Sequence, residues 1–164
     1  MALPGDVPRI AELCRQGLAE LLPTRGGDVF VSRDARGEPI EDDLRAAIED
    51  PHRRLWAGTI DDAIIGYAAT HVEQLRDGRT LGVIDDLFVE EGARGVGVGE
   101  VLIAQAVAWC REQGSLGVDA TALPGNRATK NFFEGSGFTA RMLVMHHRFD
   151  ADGGPTAGSG DDAT

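Results

Sequence analysis

Three glycines alternate after an arginine in "ARGVGVGEVL", Ala93 to Leu102, just where a helix is about to begin. A glycine inside a helix costs roughly 1 kcal/mol relative to alanine, so three of them need a reason. The usual reason is a backbone angle that side chains forbid, or a very close approach by another group. Strand, glycine turn and helix together make an anion site, because the first N–H groups of a helix lack internal partners and point outward. Gly95, Gly97 and Gly99 would let a pyrophosphate approach that backbone. The second chemical feature is "VIDDLFV", which sets Asp85 and Asp86 in the middle of an apolar strand. Simple alternation sends them to opposite faces, Asp86 with Ile84 and Phe88, Asp85 with Val83, Leu87 and Val89. A carboxylate in a strand covered on both sides is costly unless it is paired or used.

The glycines do not fit the common nucleotide fingerprints. No Lys-Ser or Lys-Thr follows to complete a P-loop, and Glu100 stands where the dinucleotide pattern has its last glycine. Asp119 lies about 20 residues on, where such folds carry a ribose acid, but the turn comes mid-chain rather than opening a βαβ unit. The plain alternative is a tight turn, for which one glycine would be enough. Elsewhere, His71 and Glu73 share a strand face, and Glu73 could line a cleft. His146 and His147 have no carboxylate or cysteine at ligand spacing, so no metal site is read there.

These groups need elements to position them. "DVPRIAELCRQGLAELL" repeats Val7, Ile10, Leu13, Cys14, Leu18 and Leu21 at helical spacing, with Asp6 as cap and Pro8 in the first turn. "GGDVFVSRDARGEP" reads as loop and "IEDDLRAAIED" as an acidic helix. "RRLWAGTI" and "AIIGYAATHVEQL" read as strands joined at "DD", and "DGRT" turns into a third, "LGVIDDLFVE". After the glycine turn, Val101, Leu102, Gln105, Ala106, Trp109 and Cys110 form one helix face. "GSLGVDATAL" is a strand, "NRATKNFFEGSG" a short helix ending at glycine, and "FTARMLVMHHRF" a final strand. Trp56 and Trp109 read as core. The order predicts an α/β fold with one central mixed sheet flanked by helices.

Composition narrows the function. The chain has 164 residues, enough for one domain over 1–149, followed by an acidic, disordered tail over 150–164. A net charge of −11 argues against a duplex nucleic-acid partner and favours cationic ones. No apolar run reaches the ~18–20 residues of a membrane span. The start has no secretory pattern, and Cys14 and Cys110 read as free thiols packed in the core, which together predict a cytoplasmic protein.

"VEEGARGVGVGEVL" resembles the acyl-CoA motif of the GNAT superfamily of N-acetyltransferases, Arg/Gln-x-x-Gly-x-Gly/Ala, through Arg94, Gly97 and Gly99. "NRATKNFFEGSGF" is similar to the family's second motif through Asn126, Phe132, Gly137 and Phe138. The two motifs occur in the family's order, and the resemblance spans roughly Asp6 to Phe149. It implies that acetyl-CoA lies in a V-shaped splay between the Val83–Val89 strand and the Gly117–Ala122 strand. The pyrophosphate would meet the turn of Gly95, Val96, Gly97, Val98, Gly99 and Glu100. The pantetheine arm would pair along Leu87, Phe88 and Val89. Arg94, Arg127 and Lys130 would face the anionic end, and Asn126 and Phe133 would border the site from the second motif. Carboxylates at the place of Asp86 bind or deprotonate the substrate amine in aminoglycoside and polyamine acetyltransferases of this fold. The resemblance thus implies acetyl transfer to a small cationic amine or a lysine by direct attack in a ternary complex. Asp86 would be base or ammonium anchor with Asp85 as helper, and a strand N–H near Phe88 or Val89 would hold the oxyanion. No metal is implied, and the family is often dimeric.

Two features depart from the family. Only "MAL" precedes "PGD", so the usual first strand is short or missing. Phe133 replaces the tyrosine that in many members protonates the departing thiolate; the chain's only tyrosine is Tyr67, in a different strand. A thiol has a pKa near 8.5, so its thiolate leaves tolerably well near neutral pH without that acid. Phe133 also supports an alternative, a non-catalytic acyl-CoA-binding module. A nucleotide-binding protein of another fold rests only on the glycines and Asp119.

Overall fold

The computed structural model describes residues 1–149; the tail expected at 150–164 lies outside them. Helical spacing of apolar residues produces α1 (Val7–Leu21), with Val7, Ile10, Ala11, Leu13 and Cys14 buried on one face. Two shorter helices follow, α2 (Gly27–Arg33) and α3 (Ile40–Glu49). Strands β1 (Arg53–Ile60), β2 (Ala63–Gln74) and β3 (Thr80–Val89) meander antiparallel. The β1–β2 hairpin turns on Asp61 and Asp62, both at positive φ of 46° and 65°, the conformation that two-residue hairpin turns require. Then α4 (Val98–Glu112) crosses over, β4 (Ser115–Ala120) returns parallel to β3, and α5 (Arg127–Gly135) follows. The result is the expected mixed sheet, four strands in the order β1-β2-β3-β4, covered by helices on both faces.

The two faces have separate cores. α1 and α3 pack on Leu55, Tyr67 and Ala69. α4 and Phe133 of α5 pack on Trp56, Ala68 and Ile84 of the other face, where Trp56 and Trp109 meet edge to face at 6.0 Å. Cys14 and Cys110 are both buried and free, one in each core.

Several local expectations change. Gly26–Pro39 is not all loop, since Gly27–Arg33 is helical. Asp6 does not cap α1 through its side chain; its carboxylate accepts from the Leu3 N–H at 2.7 Å instead. Val101 is exposed and Ile103 takes its place on the buried face of α4. Before α1, the Ala2 N–H donates to the Leu55 carbonyl at 2.9 Å, and no strand precedes α1 among the described residues. The segment 138–149 does not form the expected strand; Phe138 packs on Phe133, residues 139–149 are exposed, and Phe149 is one isolated bridge residue.

Candidate active site

The β3–β4 ladder sets the geometry. It runs from the Thr80–Ser115 pair to the Ile84–Ala120 pair and ends there. Beyond it, Asp86 to Val89 pair only with β2. The Glu90 N–H donates to the Ile65 carbonyl at 2.9 Å, next to the Gly66–Val89 pair. Antiparallel alternation then turns the polar groups of Phe88 toward β2 and those of Leu87 and Val89 toward the open edge. That corrects the expectation for Phe88, whose N–H is spent inside the sheet. Leu87 and Val89 present backbone to the splay.

One irregularity places the acids. Ala69 faces Asp86 while Thr70 faces Ile84, so Asp85 is an extra residue in β3, a β-bulge. A bulge shifts the alternation by one. Ile84 joins Leu87 and Val89 on the α4 face, whereas Phe88 packs on the α1 face. The two aspartates therefore do not point to opposite faces. Both line one cleft of ≈ 560 Å³ beside the apex of the splay, together with His71, Arg36, Arg53 and Thr121.

Arg36 is the central group of this cleft. It sits in the connection between α2 and α3, which Arg15 pins by holding Glu38 at 2.7 Å and Glu41 at 2.9 Å. The Arg36 side chain is only 8% exposed. Its Nε donates to Asp86 Oδ2 at 2.5 Å, Nη1 meets Asp43, and Nη2 is 4.0 Å from Asp85. Asp43, on α3, is also held by Arg53 at 2.9 Å. Burial pushes the Asp86 carboxyl above the usual range, and the Arg36 charge offsets part of that rise. Beneath it, burial and the Asp86 charge raise Tyr67 well above its ordinary value and Cys14 to about 11. Asp85 is more open and accepts from His71 Nδ1 at 2.8 Å. That hydrogen bond raises the His71 pKa against the opposing effect of burial. Arg36 was missed by sequence reasoning, because an arginine in an irregular stretch gives no spacing signal. His71 was noted only for sharing a face with Glu73, which is exposed and lies outside the cleft lining.

The glycine turn forms as expected, but its glycines differ. Gly95 and Gly97 have φ of 82° and 94°, which only glycine adopts readily. Gly97 is the N-cap of α4, so the N–H groups of Val98, Gly99 and Glu100 form the helix's open first turn. Gly99 instead makes room: an added Cβ would lie 3.3 Å from the Phe132 ring. Val96 is exposed at the tip of the turn.

Other cofactor residues take structural roles. Arg94 donates to the Val89 carbonyl at 2.8 Å, pairs with Glu20 at 2.7 Å and stacks on the Phe88 ring. Its charge is already used to tie the turn to α1 and β3. Lys130 pairs with Glu134 along α5 at 2.6 Å, and Asn126 caps that helix by accepting from the Thr129 N–H at 3.1 Å. Phe133 is buried against Phe132 and Phe138, and Tyr67 lies in the opposite core, so no phenol faces the splay from either position. Asp119 is held by Arg141 at 2.8 Å, which removes the one acid that favoured a dinucleotide. Among the described residues no group of three or more His, Cys, Asp or Glu is arranged to hold a metal ion, and no helix is long and apolar enough to cross a membrane.

Residues 19–138 match the acetyltransferase (GNAT) family. No curated protein matches the chain. Among solved structures, a tetramutant of the BH1408 protein from Bacillus halodurans superposes with a TM-score of 0.77 at 20% identity, covering 90% of this chain and 97% of that one. A putative acetyltransferase from Agrobacterium tumefaciens gives 0.69 at 20% identity, covering 90% and 96%. An aminoglycoside acetyltransferase from an uncultured soil metagenomic sample, in complex with sisomicin, gives 0.62 at 18% identity, covering 91% and 92%. At these identities the likeness is one of fold.

Proposed function

The chain belongs to the acetyltransferase (GNAT) family, and on that premise we propose that it transfers an acetyl group from acetyl-CoA to a primary amine of a cationic acceptor. The observation that carries the proposal is the splay beyond Ile84 and Ala120, with the glycine turn at its mouth and an acid-lined cleft at its apex. The open-edge groups of Leu87 and the N–H of Val89 suit the amides of a pantetheine arm. The first turn of α4, entered through Gly95 and Gly97, suits the pyrophosphate. The cleft lining contains five aspartates against two arginines, so it attracts an ammonium. The fold likeness to an aminoglycoside acetyltransferase agrees with a polyamine-like acceptor without naming one.

The geometry favours a division of labour between the carboxylates. Asp86, paired with Arg36, contributes negative potential from below. Asp85 and His71 form the exposed pair that takes the ammonium proton, reversing the order of roles expected from sequence. The neutral amine then attacks the thioester carbonyl, and the N–H of Leu87 or Val89 is aligned to hold the developing oxyanion. The thiolate leaves without a tyrosine; water supplies its proton. The buried Phe133 favours a second reading, an acetyl-CoA-binding module without turnover.

A free-thiol release assay over an amine panel, with thermal unfolding in acetyl-CoA, CoA and NAD, tests this. Stabilisation by acetyl-CoA and CoA but not by NAD, at about 2.7 kcal/mol for a hundredfold excess over Kd, together with turnover of at least one amine, is expected. Stabilisation without turnover supports the module. Absence of any shift with acetyl-CoA overturns the site. Asp85→Asn should lower kcat/KM by about 10²–10⁴-fold. His71→Gln should abolish the rise of kcat/KM with pH as His71 loses its proton, above its ordinary 6.5.

A further inference from the structure

We propose that Thr121 is a catalytic residue, whose hydroxyl donates a hydrogen bond to the sulfur of the departing thiolate. On the acetyl-transfer reading, which this role presupposes, no phenol reaches the splay: Phe133 has none, and Tyr67 lies in the opposite core. The β3–β4 ladder ends at the Ile84–Ala120 pair, so Thr121 is the first residue of the β4 side past the apex of the splay. Val118 and Ala120 pack on the α4 face. Alternation therefore turns Asp119 and Thr121 to the other face, that of Asp85 and Asp86. Thr121 lines their cleft, as the one lining residue from the β4 side and the one that carries a hydroxyl. It is exposed, and its side chain has no hydrogen-bond partner among the described residues.

The charge of the cleft gives that hydroxyl a task. The five aspartates that draw an ammonium also repel a thiolate, and so raise the pKa of the leaving thiol above about 8.5. The strong cations of the lining are engaged elsewhere. Arg36 is spent on Asp86 and Asp43. Arg53 holds Asp43 and His71 bonds Asp85, from β1 and β2, on the far side of β3 from the splay. Thr121 can hold the sulfur from the β4 side, while the N–H of Leu87 or Val89 holds the oxyanion from the edge of β3. The nitrogen–carbon bond forms, and the carbon–sulfur bond breaks with its electron pair on sulfur. The attacking nitrogen gives up one proton, and water carries one to the sulfur. A threonine hydroxyl is too weak an acid to part with its own proton, so Thr121 holds the charge while that transfer takes place.

Thr121→Val keeps the shape and removes the hydroxyl, and Thr121→Ser keeps the hydroxyl; comparing both with wild type tests the proposal. The first readout needs binding alone: the ultraviolet absorbance of the thiolate, followed against pH in complexes with free CoA. Losing a hydrogen bond to the charged form should raise the pKa of the bound thiol in Thr121→Val by about 1–2. Thr121→Ser should titrate like wild type. The second readout is turnover of an accepted amine, where kcat should fall about 10²-fold in Thr121→Val and recover in Thr121→Ser. Tm and the Kd of acetyl-CoA should stay the same in all three, because the side chain is exposed and the thioester is uncharged. An equal thiol pKa or an equal kcat in wild type and Thr121→Val overturns the proposal and leaves the acetyl-transfer reading standing. So does a Thr121→Ser variant as slow as Thr121→Val. A wild type that binds no CoA overturns both.

Discussion

Replacing Arg36 with glutamine should cost more stability than replacing its partner Asp86 with asparagine. The asymmetry follows from who else is present. Asp43 has Arg53 at 2.9 Å and Asp85 has His71 at 2.8 Å, whereas Asp86 bonds no second cation among the described residues. Arg36→Gln therefore leaves a carboxylate, 15% exposed, without its counter-charge. Breaking a buried pair in this way costs about 3–5 kcal/mol; the low end applies because Asp86 can take a proton instead. For a domain of this size about 3 kcal/mol is a drop of roughly 6–12 °C in Tm. Asp86→Asn leaves Arg36 with Asp43 and loses mainly the charge assistance of one hydrogen bond worth about 1.5–3 kcal/mol. The sign with pH is also fixed. Without Arg36 the Asp86 carboxyl rises further above 3.8 in the folded state. A raised carboxyl carries no cost when both states are protonated and its full cost once the pH exceeds the folded pKa. The gap between wild type and Arg36→Gln should thus widen as the pH rises across the interval from about pH 4 to 8. Thermal melts of wild type, both single variants and the double variant across that range make the measurement. A deficit for Arg36→Gln below about 1 kcal/mol, or one that does not vary with pH, refutes the reasoning.

Gly97→Ala forces an alanine to φ of 94°; it should lose about 1–2 kcal/mol of stability and weaken acetyl-CoA, read as Tm and Kd. Gly99→Ala should spare the backbone angle but push on the Phe132 ring from 3.3 Å, so Kd should change more than stability. Arg15 holds the Glu41 carboxyl down at about 2. That depressed group contributes stability above its ordinary 4.5 and loses it as the pH falls toward 2. Urea midpoints of wild type and Arg15→Ala should therefore converge over that acid interval.

The sheet order and the glycine turn were legible because their signals are local and periodic. Alternating apolar residues mark β1 to β3, and Gly95 and Gly97 mark a backbone angle that no other residue adopts readily. The position of Asp85 was not legible. A bulge is one residue of mismatch between two strands, and it leaves no trace in the composition of either. Arg94, Lys130 and Asn126 were legible as motif members but not as what they do: a tie to Glu20, a pair with Glu134 and a helix cap. Each has a partner distant from, or ordinary beside, its own motif. The segment 138–149 reads as a strand from its run of apolar residues, but no strand forms there.

The bulge also explains why this cleft can combine acid groups with an open edge. The ladder between β3 and β4 stops at Ile84, one residue before the extra Asp85. Past the bulge the strand twists more strongly, and the parallel partner no longer follows. The same insertion that releases the edges of Leu87 and Val89 leaves Asp85 beside His71, next to the Asp86–Arg36 pair. Cosubstrate groove and acceptor acids are thus two results of one local irregularity, which puts them adjacent. A variant lacking Asp85 altogether should restore regular alternation. It should leave Asp86 opposite Ala69 and extend the β3–β4 ladder into the groove. Acetyl-CoA binding would then fall together with turnover, whereas Asp85→Asn, which keeps the bulge, should spare binding and lose only the chemistry. If the deletion bound acetyl-CoA as well as Asp85→Asn does, the bulge would not be what opens the groove.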